Sequence, residues 1–142
     1  MLSEIKKISS LLLSVAFSSI GFIASITVTV LAAREVSSNP LFVGFPNAVG
    51  VGGAVLGTRM IYLISKNNSQ LNALAFTFLI GAFGGAIMFY SLIVDSFVLL
   101  LFGAFILGIG QSATLQTRYA ASFVASEKFK APALSLAVWF LV

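Results

Sequence analysis

The sequence predicts an all-α integral membrane protein, a polytopic bundle of transmembrane helices. Three observations carry this. The chain of 142 residues is 59% hydrophobic and 8% charged, where a soluble domain carries about 25% charged residues. Its mean hydropathy is +1.09. Its charges also gather at a few narrow places, separated by apolar stretches of about twenty or more residues, the length that crosses ~30 Å of hydrocarbon as a helix. A soluble core of this size buries only about two-thirds of what the unfolded chain exposes, so lipid is the solvent that suits this composition.

The first predicted span is 9–33. It follows Lys6 and Lys7, and its apolar run is longer than the 7–15 residues of a signal-peptide core. The second is 41–65, after the loop punctuation Ser37, Ser38, Asn39 and Pro40. Pro46 lies inside it. An interior proline removes a helix bond and frees a carbonyl, which predicts either a structural kink or a cavity where Asn47 presents its amide. The third span, 71–94, follows Asn67, Asn68 and Ser69. Asp95 alone marks the turn into the fourth, 96–122. Connections this short force neighbouring helices antiparallel. A fifth apolar run, 131–142, has 12 residues, or ~18 Å of helix, too short to cross. It carries no charge, glycine or polar cap, which reads as an N-terminal fragment of a longer protein. The alternative is a complete four-helix protein with a re-entrant or interfacial tail.

Orientation follows from the basic residues. Lys6, Lys7, Arg59, Lys66, Arg118, Lys128 and Lys130 fall at odd boundaries, and only Arg34 falls at an even one. Seven against one predicts a cytoplasmic N-terminus in the cell or cytoplasmic membrane. The net charge of +4 does not point to nucleic acid, because these residues sit at segment ends and form no stripe. The chain has no Cys and no His, so within it there is no disulfide, thiolate chemistry or His-ligated metal. No nucleophile–base pair, carboxylate pair or phosphate-cradling loop stands in the sequence, so neither an enzyme, a cofactor nor a metal site is expected.

Glycines are dense and placed. Gly53 and Gly57, and Gly81 and Gly85, are spaced G-x-x-x-G, which puts each pair on one helix face open to close approach. Gly108 and Gly110 lie in the fourth span. The spacing fits either tight static packing or helices that rock past one another. The fourth span begins apolar and turns polar: Gln111, Thr114 and Arg118 share a face by i, i+3, i+7 spacing. That face, with Asn47, is the candidate substrate cavity, since polar groups facing lipid are costly. Arg118 serves either as an interfacial anchor or as a cytoplasmic gate paired with Glu127. No Asp, Glu, Lys or His lies deep in the four spans, so a proton cycle needs a titratable group elsewhere.

Taken with Gly50-Val51-Gly52-Gly53-Ala54-Val55-Leu56-Gly57 ahead of a basic loop, Leu107-Gly108-Ile109-Gly110-Gln111-Ser112-Ala113 in the fourth span, and the basic stretch from Glu127 to Lys130 before Pro132, the pattern resembles the major facilitator superfamily of secondary transporters. The resemblance covers the whole chain. It departs from the family at Gly57 and Thr58, where an acid and an Arg usually stand, and at Ala104, where an Arg usually precedes the fourth-helix motif. Those positions hold no charge-relay gate, and Arg59 and Lys66 alone keep the loop basic. The resemblance implies a twelve-helix carrier of two six-helix halves with the cavity between them. This chain would give four spans and a truncated fifth of the first half. Its partners would be the bilayer, a small-molecule solute and the missing C-terminal remainder of the same protein. The rival reading is a non-transporting four-helix membrane subunit or scaffold.

Overall fold

The computed structural model describes the backbone of residues 2–37 and 39–124 and the side chains of residues 17, 19–37 and 39–117. The expected fifth run, 131–142, and Glu127 lie outside the described residues. Among the described residues four helices follow in order: α1 (Leu2–Val36), α2 (Phe45–Asn67), α3 (Gln70–Ile93) and α4 (Phe97–Val124), with a 3₁₀ turn, Pro40–Phe42, before α2. Among the described residues there is no strand. All four helices carry a stretch long and apolar enough to cross a membrane, so the chain is an integral membrane protein of helical class.

The helix ends follow from local chemistry. Asn39 caps the 3₁₀ turn, its Oδ1 accepting from the Leu41 N–H at 3.0 Å. Ser69 caps α3, its Oγ accepting from the Asn72 N–H at 3.3 Å. The turn between α3 and α4 needs only Val94, Asp95 and Ser96. Asp95 takes φ 53°, a left-handed conformation that a short acidic side chain tolerates. The Ser96 N–H then reaches back to the Ser91 carbonyl at 3.0 Å, the six-residue closure that ends many helices. Ser96 Oγ in turn accepts from the Leu99 N–H at 3.4 Å and starts α4.

One expectation fails here. Pro46 is not in a helix interior. The 3₁₀ turn takes up the residues before it, and α2 begins at Phe45. Pro46 therefore stands in the first turn, where its missing N–H had no partner to lose. It kinks nothing and frees no carbonyl, and it is fully buried.

The chain forms two compact units, residues 24–113 and residues 1–23 with 114–142. In the larger unit, Ala32 and Ala33 of α1, Met88 of α3 and Leu100 and Ala104 of α4 make a buried cluster. Small residues dominate it, as helix packing in lipid requires. The outward face of α3 carries Phe76, Leu79, Phe83 and Phe89, all exposed, a surface for contact with hydrocarbon chains. In the smaller unit, Ser19, Thr114 and Thr117 are buried while Phe17, Ile20 and Ile23 are exposed.

Candidate functional site, the α4 helix and its polar contacts

α4 meets α2 and α3 through backbone. On the α2 side, a Cβ added to Gly53 would overlap the Phe105 carbonyl oxygen, and one added to Gly57 would overlap Ser112 Oγ and lie 2.6 Å from the Ile109 oxygen. From the other direction, a Cβ on Gly108 would strike the Gly50 carbonyl, with the Gly50 Cα 2.9 Å away. Gly50, Gly53 and Gly57 thus form an i, i+3, i+7 strip against α4. On the α3 side, a Cβ on Gly81 would lie 2.7 Å from the Gly110 Cα, and one on Gly84 would lie 2.9 Å from the Gly103 oxygen. The matching levels show that α2 runs parallel to α4, and α3 antiparallel to it. Gly85 is different: its added Cβ would meet only Leu107 Cδ1, at 3.9 Å. Close approach on α3 uses Gly81 and Gly84, three apart, where sequence spacing pointed to Gly81 and Gly85, four apart. An i, i+3 search would have found the pair.

Among the described residues, several hydroxyls in the spans are occupied by their own helix. Thr77 donates to the Ala73 carbonyl at 2.8 Å, Ser91 to Met88 at 2.6 Å and Ser112 to Ile109 at 2.6 Å. Back-bonding of this kind satisfies the group inside lipid. Gln111 behaves otherwise. Its Nε2 donates across to Ser25 Oγ of α1 at 3.0 Å. Thr29, one turn further on, donates to the Ser25 carbonyl at 2.6 Å and fixes the local helix. Gln111 is half-buried, so an amide stands at membrane depth with its second face not enclosed. The assignment of its nitrogen and oxygen follows from this network.

The other expected cavity residues take separate places. Asn47 is half-buried in the first turn of α2 and makes no side-chain hydrogen bond to another described residue. Its level on α2, three residues before Gly50, corresponds to a point on α4 about six to ten residues before Gln111, or ~9–15 Å along the axes. The two amides therefore do not share one contact. Thr114 is buried and belongs to the smaller unit. Arg118 continues α4, and its side chain lies outside the described residues. Arg59 is exposed on α2, eight residues before that helix ends at Asn67. Sequence reasoning missed Ser25. Nothing in the pattern of α1 marks it among Ser14, Ser18, Ser19 and Thr27, because its partner stands 86 positions away.

The sequence matches known proteins along nearly its whole length. It is 32% identical over 133 residues, 94% of this chain, to YddS of Bacillus subtilis (strain 168), an uncharacterized MFS-type transporter. It is 29% identical over 128 residues, 90% of this chain, to YdeG of the same organism, likewise an uncharacterized MFS-type transporter. The chain spans about 30% of the length of each of these relatives. No family model matches it, and no solved structure does.

Proposed function

We propose that the chain is part of a major facilitator superfamily protein, and that this protein is a secondary transporter moving a small solute by alternating access. The observation that carries the reading is the Gln111–Ser25 hydrogen bond. It joins two helices at the level where the neighbouring Ser112 turns back on its own backbone. A partner that can be exchanged is what a passing solute needs: its own donor or acceptor replaces one side chain of the pair. The glycine strips support the mechanical half. They hold α2, α3 and α4 close by shape, so these three move as a body, and the α1–α4 contact is the one that opens and closes. Gly53, Gly57, Gly81, Gly108 and Gly110 are the packing residues of the moving body.

The charge distribution supports a cytoplasmic N-terminus, with the Pro40–Phe42 turn and Asp95 on the opposite side. Among the described residues the spans offer amides and hydroxyls in place of a buried acid, so a coupling proton, if one is used, titrates elsewhere in the protein.

The test is solute flux in proteoliposomes made with the full-length product of the gene. A broad panel of radiolabelled or fluorescent solutes is expected to give at least one that accumulates, and Gln111→Leu is expected to abolish that signal while the protein stays folded. A well-folded protein that moves no solute of the panel would instead favour a membrane subunit or scaffold.

A further inference from the structure

Arg34 breaks the charge pattern of the chain, alone among eight basic residues in falling at an even boundary. Insertion bias works against a cation on that side. Arg34 occupies the last turn of α1, where a cation complements the helix dipole. That accounts for its charge and leaves its surroundings unexplained. It is exposed, and it makes no ion pair with another described residue. Glu35 is exposed too, and adjacent positions on a helix do not face one another.

Arg34 lines a cleft of about 390 Å³ together with Ser37, Pro40 and Val43. The wall is stiff. Pro40 has a fixed φ, and Asn39 braces the turn through Leu41. Ser37 Oγ exchanges hydrogen bonds with Asn39, donating to its carbonyl at 3.3 Å and accepting from its N–H at 3.4 Å. Immediately beyond the cleft the surface is apolar. Leu41 is 85% exposed, and Phe42 and Phe45 are exposed as well. Phe42 is held edge-on by both Phe45 and Phe97, at ring distances of 6.2 and 6.0 Å.

A guanidinium in a preformed cleft, bordered by exposed apolar side chains at the end of a membrane span, matches one kind of molecule. The guanidinium fork takes two phosphate oxygens at once, and the apolar border takes acyl chains. We propose that the cleft between the end of α1 and the 3₁₀ turn binds the phosphate of a membrane lipid headgroup, with Arg34 as the anchoring donor. This site is independent of the solute path and of the direction of transport.

The experiment uses the delipidated full-length product in detergent, with binding read by native mass spectrometry. The probes are phosphatidylglycerol, diacylglycerol with the same chains, and inorganic phosphate. Phosphatidylglycerol is expected to bind and diacylglycerol to fail. Arg34→Gln is expected to weaken phosphatidylglycerol binding about fivefold or more, the loss of a charge-assisted contact. Arg34→Lys should recover part of it, and Lys66→Gln should change nothing. Displacement of the lipid by millimolar inorganic phosphate would keep the phosphate site and overturn lipid as its source. Equal binding of phosphatidylglycerol and diacylglycerol, or equal binding by wild type and Arg34→Gln, would overturn the site. A lower melting temperature in Arg34→Gln with binding unchanged would reduce Arg34 to a helix-end cation and overturn it as well.

Discussion

α4 is held by two different kinds of contact. Against α2 and α3 it meets backbone with backbone, through Gly50, Gly53, Gly57 and Gly108 on one side and Gly81, Gly84, Gly103 and Gly110 on the other. Against α1, at the level of Gln111, it relies on a hydrogen bond between side chains. The first kind is fixed by shape, because lipid supplies no hydrophobic drive between helices and only close fit and polar contacts remain. The second kind can be broken and remade by any competing donor or acceptor. On the function proposed above, the difference would put rigidity in α2, α3 and α4 and exchange where Ser25 meets Gln111.

The glycines give the largest test of this contrast, because one substitution should act with opposite signs. Gly108→Ala drives a methyl group into the Gly50 carbonyl, and overpacking of this kind costs about 1–3 kcal/mol. A fall in the melting temperature of the purified protein is expected. Gly81→Ala should lose a similar amount at the antiparallel crossing, since its methyl group meets the Gly110 Cα. Gly52→Ala and Gly85→Ala, where an added Cβ has open space or ordinary contact, should gain up to ~1 kcal/mol from helix propensity. Equal losses at Gly85 and Gly108 would erase the distinction. The smallest expected effect on stability is that of Gln111→Leu. Interhelical hydrogen bonds in membranes average about 0.6 kcal/mol, so the melting temperature should barely move while solute flux disappears. A large stability loss with flux intact would make Gln111 a structural strut.

The helical class was legible because charge placement and apolar length are one-dimensional properties. Asp95 and Ser69 were legible as punctuation for the same reason. Pro46 was not: whether a proline sits inside a helix or opens one depends on where the preceding turn ends, and the 3₁₀ turn at Pro40–Phe42 moves the start of α2 to Phe45. The glycine strips were half legible. Density and spacing flagged the faces, but Gly81 pairs with Gly84 in contact and not with Gly85, since crossing angle decides which ridge is buried. Polar residues were the least legible. Ser112, Thr77 and Ser91 are silenced by their own carbonyls, and Ser25 gains meaning only from a partner on another helix. Asn47 and Gln111 looked alike in sequence and stand at different levels.

The most direct measurement links the contact that is expected to open. Ala32 of α1 and Ala104 of α4 lie in one buried cluster, so in a full-length product freed of any other Cys, Ala32→Cys with Ala104→Cys can be joined by a short, reducible bifunctional thiol reagent in proteoliposomes, with Ser25 and Gln111 left intact. Gly85→Cys with Leu107→Cys joins α3 to α4 as the matching control. Linking Ala32 to Ala104 is predicted to stop solute flux and reduction to restore it, with flux through the α3–α4 linked protein unchanged. Undiminished flux with α1 tied to α4 would contradict the account.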